Sequence, residues 1–220
     1  MEKQRSTRVI AIAALLVGIV GLTIGFAAFT STLTIKSSAE VNPVDDFHVF
    51  FSSSSSALET NTIAGVPSVT ADGFTATNAT IDNTTNPKAP VIQNLHATFT
   101  EPGQSVTYSF YAWNDNDYPA YLKALTMTSA ATACEAKVAG DQASVTATCP
   151  YLTLSISVGS GANAITDATA SQSAITGHSL ASKTAEPIVV KISYAQDAPK
   201  ASGDFDVTFA DITLQYDSLD

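Results

Sequence analysis

Past residue 29 the apolar residues of this chain come in short runs with a period of two, separated by Gly, Pro, Asn or Asp. That rhythm predicts strands and turns rather than helices. Thr32-Leu33-Thr34-Ile35 alternates and continues to Val41, where Asn42-Pro43 breaks it, and Phe47-His48-Val49-Phe50-Phe51 predicts a second strand. Ser52 to Ser56 reads as a loop, with weaker strand signals at Ser68–Thr70 and Phe74–Ile81. Val91–Thr100 predicts a strand, Glu101-Pro102-Gly103-Gln104 a turn, and Val106, Tyr108 and Phe110 one face of the strand that follows. Tyr111 and Trp113 occupy its opposite face, with core packing the expected use of these two rings. After Asn114-Asp115-Asn116-Asp117 the strand from Tyr118 to Thr128 carries Pro119 at its entrance, where a missing N–H is tolerated.

Two strands bearing Cys134 and Cys149 are expected to join through Gly140-Asp141, a tight-turn dipeptide. Leu152, Leu154, Ile156 and Val158 alternate with Thr153, Ser155 and Ser157, which predicts one buried and one wet face. Gly159 to Gly177 reads as a loop or one short helix. Ile188–Tyr194 is followed by Phe205, Val207 and Phe209 and then Ile212, Leu214 and Tyr216. The change of parity at Ala210-Asp211 predicts a bulge or a strand passing from one sheet to another. About ten or eleven strands with short connections point to an all-β fold, a two-sheet sandwich of jelly-roll or Ig-like kind over residues 42–220.

The exception to this pattern stands in front of it. Val9 to Phe29 is a run of 21 uncharged residues preceded by Lys3, Arg5 and Arg8. As a helix rising about 1.5 Å per residue it covers roughly the 30 Å core of a bilayer, with its basic end held in the cytoplasm. The same run fits a secretory signal over residues 1–27, because Gly25-Phe26-Ala27 puts small residues before a cut between Ala27 and Ala28. Both readings, cleaved signal and retained membrane anchor, export the rest of the chain to the cell surface or the extracellular space.

Cleavage at that point removes Lys3, Arg5, Arg8 and Glu2, taking the net charge from −10 to −12. An acidic body with no basic stripe is not expected to bind nucleic acid. Its polarity comes from hydroxyls and amides more than from ions, since charged residues make up only 14% of the chain. Cys134 and Cys149 are the two cysteines present, and in an oxidising compartment they predict one disulfide.

The leader ending Gly-Phe-Ala-Ala-Phe at 25–29, the Thr- and Ile-containing strand behind it, Glu101-Pro102-Gly103, Val106-Thr107-Tyr108-Ser109-Phe110, Trp113-Asn114-Asp115 and Ala120-Tyr121-Leu122 resemble the TasA/camelysin family of bacterial surface fibre proteins. The resemblance covers about a third of the chain and extends loosely to Ile212–Tyr216. It implies a jelly-roll protomer, a leader removed by a dedicated signal peptidase, and self-association into extracellular fibres of a biofilm matrix by donation of the amino-terminal strand. A strand donated to a sheet edge satisfies the backbone groups exposed there while its alternate side chains fill pockets. The candidate donor is residues 28–41, with Leu33 and Ile35 as its plugs; the alternative is an ordinary first strand of a monomeric, membrane-anchored binding or adhesion module. The cysteine pair and the Gly159–Gly177 segment have no counterpart in the family pattern.

Camelysin-like proteins have been described as metallopeptidases, and the residues give that no support. His48, His96 and His178 are the three histidines, no two lie within five positions, and no His-Glu-x-x-His occurs. Each reads as a surface or strand histidine. No Gly-x-Ser-x-Gly elbow is present, and Ser160 between Gly159 and Gly161 reads as a flexible loop. The expectation is therefore no enzyme, no cofactor and no catalytic or metal site. Asn114-Asp115-Asn116-Asp117 offers hard oxygens suited to calcium but lacks the spacing, Gly and terminal Glu of an EF-hand loop, so it reads as a turn capping its own backbone. The triplets at Asn78 and Asn83 match the N-glycosylation pattern and are discounted as chance.

Overall fold

The computed structural model describes residues 47–218. The leader, the cleavage pair Ala27 and Ala28, and the candidate donor strand with Leu33 and Ile35 lie outside the described residues. Within the described residues the protein is all-β. In chain order the strands are β1 (Val49–Ser52), β2 (Thr62–Ile63), β3 (Gly65–Pro67), β4 (Thr75–Ala76), β5 (Ala79–Asp82), β6 (Val91–Gln93), β7 (His96–Phe99), β8 (Ser105–Asn114), β9 (Ala120–Thr128) and β10 (Ala133–Ala136). A short helix, α1 (Gln142–Thr148), precedes β11 (Leu152–Val158), β12 (Ile165–Ala168), β13 (Ala170–Gln172), β14 (Ser179–Leu180), β15 (Ala185–Tyr194), β16 (Phe205–Thr208) and β17 (Ile212–Asp217).

Pairing is antiparallel throughout and builds three hydrogen-bonded sheets. One runs β1-β8-β15-β11-β12 with β3 also beside β8, one β10-β16-β7-β4, and one β13-β9-β17-β6-β5-β2 with β14 also beside β9. The strands with the clearest alternation sit at the centres. In β8, Val106, Tyr108, Phe110 and Ala112 are buried, and in the adjoining β15 so are Ile188, Val190, Ile192 and Tyr194. Side chains of all three sheets meet in one core, where Phe99, Tyr194 and Phe205 form edge-on and tilted ring pairs 5.7–6.2 Å apart. Tyr111 and Trp113 lie on the outer face of β8, half-buried, so the expected core role falls to the other face.

The four- and seven-stranded sheets are one ribbon folded along a line. The stretch read as a single strand over Val91–Thr100 is two strands in two sheets, broken where Asn94 takes a φ of 59°. Asn tolerates that left-handed conformation better than most residues. Phe74–Ile81 likewise divides into β4 and β5, and the parity change near Ala210 marks the passage from β16 to β17. The three breaks are neighbours: Phe209 N–H donates to the Leu95 carbonyl at 3.0 Å and Thr77 N–H to the His96 carbonyl at 3.2 Å. The corner lets one polypeptide face the core from two sides.

Three other expectations are corrected. Ser68–Thr70 is not a strand; the pairing falls on Gly65–Pro67 instead. The Gly159–Gly177 segment holds no helix but the two short strands β12 and β13. Gly140-Asp141 is a 3-10 turn leading into α1, not a hairpin, because Val145 and Thr148 place a buried stripe on one side of that helix. Cys134 on β10 and Cys149 after α1 form the expected disulfide, Cα–Cα 6.0 Å, which ties the helix to the strand.

Side-chain amides close two outer strands. Phe51 N–H donates to Asn83 Oδ1 at 2.8 Å, and Asn83 Nδ2 donates to the Phe51 and Thr60 carbonyls at 3.1 Å each. Ala136 N–H donates to Gln142 Oε1 and Gln142 Nε2 to the Cys134 carbonyl, both at 2.9 Å. A carboxamide carries the donor and acceptor of a peptide group, so each serves as a one-residue strand. Asn83 is 2% exposed, which withdraws it from glycosylation as well.

Asn83→Ala is expected to cost about 1–3 kcal/mol, since it strands the buried Phe51 N–H, the Phe51 carbonyl keeping the Thr60 N–H; urea unfolding measures this, and a smaller loss would mean water replaces the amide. Reducing the disulfide, which spans 15 residues, should lower stability by about 3 kcal/mol, read as the shift in the urea midpoint with and without reductant.

Candidate functional site

The Asn114–Asp117 turn leaves β8 and closes upon itself. Asn114 is fully buried; its Nδ2 donates to the carbonyls of Tyr118, Leu180 and Ala181 at 2.9–3.1 Å, and its Oδ1 accepts Asn116 N–H at 3.0 Å. Asn116 brackets the backbone of His48, accepting its N–H at 2.9 Å and donating to its carbonyl at 3.0 Å. The two aspartates point outward to Lys183, whose Nζ donates to the Asp115 carbonyl at 2.5 Å and lies 3.2 Å from Asp115 Oδ1 and 3.6 Å from Asp117 Oδ1. The cation of this turn is thus an ammonium supplied by the chain. The aspartates in turn hold Lys183 above its ordinary value of 10.5, chiefly through the Asp115 hydrogen bond.

The buried ionisable residues gather elsewhere, at the mouth of the Gly159–Gly177 segment. His178, just before β14, is 5% exposed, Glu186 on β15 is 7% and Tyr216 on β17 is 0%. His178 Nε2 lies 2.7 Å from Glu186 Oε2, and the Tyr216 hydroxyl donates to Glu186 Oε1 at 3.0 Å. His178 Nδ1 lies 2.7 Å from the Asn163 carbonyl. Both oxygens of the carboxylate and both nitrogens of the imidazole are therefore engaged. A carbonyl only accepts, so Nδ1 carries a proton, and an ionised Glu186 requires a second one on Nε2. The cluster is an imidazolium–carboxylate pair with a tyrosine behind it.

Its energetics follow from burial and proximity. The hydrogen bond His178 makes to Glu186 raises it above its ordinary 6.5, outweighing the opposing effect of burial. Burial, reinforced by the charge of Glu186, pushes Tyr216 well above 10.0. Gly159 is a fitted part of the arrangement: its φ is +75°, and a Cβ there would stand 2.7 Å from His178 Cε1 and 2.8 Å from Glu186 Oε2. Beside the pair is a polar cavity of about 320 Å³, lined by Ser160, Asn163, Ser179 and Thr184 among others.

The other two histidines are placed in strands or loops as expected, His48 against Glu59 at 3.2 Å and His96 against Asp206 at 3.8 Å. Asp206 also accepts Thr98 Oγ1 at 2.5 Å and pairs with Lys137. Burial opposes its ionisation, but the bonds from Lys137 and Thr98 prevail and hold its carboxyl below 3.8. His178 is the histidine misjudged as a surface or strand residue. Its partner was detectable: Glu186 shares the parity of Ile188, Val190 and Ile192, which puts a carboxylate on the core face. Among the described residues no three His, Cys, Asp or Glu side chains converge as a metal would need. No family model matches the chain, and neither a curated protein nor a solved structure matches it.

Tyr216→Phe removes the donor from Glu186 Oε1 and is expected to cost about 1–3 kcal/mol, measured by urea unfolding near neutral pH; a neutral effect would place water behind the carboxylate. Because Lys183 fills the Asn114–Asp117 turn, adding calcium or a chelator is expected to leave the melting temperature unchanged, and a calcium-dependent rise would show that the ion displaces the ammonium.

Proposed function

We propose that this is an exported structural protein of the cell surface, a jelly-roll sandwich that serves as a subunit of extracellular fibres or matrix. The observation that carries the reading is where its reactive groups are spent. The atoms of His178 and Glu186 that would do acid–base work are all engaged within the chain, and the acidic Asn114–Asp117 turn holds a lysine. A disulfide and a surface polar by hydroxyl and amide suit an oxidising exterior. The resemblance to the TasA/camelysin family supplies the mode of assembly: residues 28–41, freed by cleavage between Ala27 and Ala28, add to a neighbouring copy with Leu33 and Ile35 as plugs.

A second reading, a monomeric module retained on the membrane by Val9 to Phe29, is favoured by the amide closure of β1 and β10. Edges sealed by Asn83 and Gln142 give a neighbour's strand nothing to pair with at those two places.

Amino-terminal sequencing of the mature protein separates the two, since a start at Ala28 accompanied by polymers supports the fibre and an intact leader in the membrane fraction supports the module. Deleting residues 28–41 behind the leader is expected to abolish polymers while leaving secretion intact; polymers that persist would rule strand donation out.

A further inference from the structure

The segment between Gly159 and Gly177 carries little apolar anchorage. Ile165 and Ala168 are its buried residues, Ile175 is partly buried, and every position from Thr169 to Ala174 is exposed. Yet it contains β12 and β13, the strands at which the six- and seven-stranded sheets end on that side. Its mouth is tied by polar bonds: His178 Nδ1 to the Asn163 carbonyl and Asn163 Nδ2 to the Gly177 carbonyl, both 2.7 Å, and Gly159 N–H to the Pro187 carbonyl at 2.8 Å.

We propose that His178 is a proton-operated latch on this segment: doubly protonated it clamps Asn163 to Glu186, and on losing one proton it releases Asn163 and loosens the mouth of the segment, whose remaining ties are the pairing of β12 with β11 and of β13 with β9. The argument rests on hydrogen-bond counting. An imidazolium donates from both nitrogens, to the Asn163 carbonyl on one side and to Glu186 Oε2 on the other. A neutral imidazole donates from one only. The bond to a carboxylate is the stronger, being charge-assisted, so the remaining proton sits on Nε2. The lone pair of Nδ1 then faces the lone pairs of the Asn163 carbonyl, and that contact turns repulsive. One proton passes to solvent and no covalent bond between heavy atoms changes.

The ionisable groups around the ring, among the described residues, are already paired. β15 contributes Glu186, and β17 contributes Tyr216, which is committed to the same carboxylate. β9 meets the residue through Leu122 N–H on the His178 carbonyl. Among the residues lining the adjacent cavity, His178 and Glu186 are the ionisable ones, and nearby Lys183 is engaged by Asp115 and Asp117. The sign follows from linkage: with the folded His178 above 6.5, its stabilisation is complete below about pH 6.5 and is lost as pH rises through the folded value.

Hydrogen exchange of the full chain, corrected for intrinsic rates, tests this between about pH 6 and pH 9. Protection of amides in 160–177 is expected to fall with rising pH, by up to about tenfold per unit for one proton, while β8 and β15 hold theirs. Glu186→Gln is expected to abolish the alkaline loss, because a Gln amide donates to Nε2 and leaves the single proton on Nδ1 for Asn163. Should that variant not fold, the ring nitrogens of His178 in the native protein give the same answer by NMR: both protonated below about pH 6.5, and Nε2–H after deprotonation. Protection that is independent of pH, or a neutral form protonated on Nδ1, overturns the proposal.

Discussion

A fold whose regular structure, among the described residues, is nearly all strand must terminate its sheets, and each termination exposes backbone donors and acceptors that either find partners or recruit them from another molecule. Much of this structure answers that constraint with short polar side chains. Asn83 stands in for a strand beside Phe51, Gln142 beside Cys134 and Ala136, and Asn116 beside His48. Ser171, inside β13 where its register with β9 shifts, fills that irregularity by exchanging bonds of 2.9 Å with the Met127 N–H and carbonyl. The richness in Ser, Thr, Asn and Gln, which in the bare composition looks like mere solubility, is in good part the material that finishes the sheets.

Ion pairs have a different place in this economy. Lys200–Glu101, Lys88–Asp217 and Lys183–Asp115 join exposed groups, where screening and side-chain entropy leave each worth little. The His178–Glu186 pair is buried and therefore depends on complete partnership, because removing one member leaves the other uncompensated in a poor solvent. With Tyr216 it ties β17 to β15 and the loop before β14, and it asks for glycine at position 159, where a Cβ would meet both the His178 ring and the Glu186 carboxylate.

The long strands were legible because a period of two survives wherever one face meets the core and the other meets water. Val106 to Phe110, Leu152 to Val158 and Ile212 to Tyr216 all fall on the faces their parity predicts. Illegible were the places where a third dimension intervenes. The break at Asn94 lies inside an unremarkable polar-apolar run, and what makes it a corner is its neighbour across the fold, Phe209. The helix at Gln142–Thr148 has too few apolar residues to announce itself and is held by the disulfide and by Gln142. His178 sits among glycine and serine and carries no local pattern; only Glu186, an acid in apolar phase, hinted that a basic partner was needed.

The cross-link between Cys134 and Cys149 bears on how the molecule responds to being pulled. A chain stretched from its two ends lengthens by spooling out unfolded polypeptide, but the residues enclosed by this bridge are bypassed by the load. At about 3.4 Å per extended residue, the 15-residue separation withholds about 50 Å of slack. Helix α1 is thereby shielded from tension, and an overstretched molecule recoils from a shorter tether, with β10 still moored beside it.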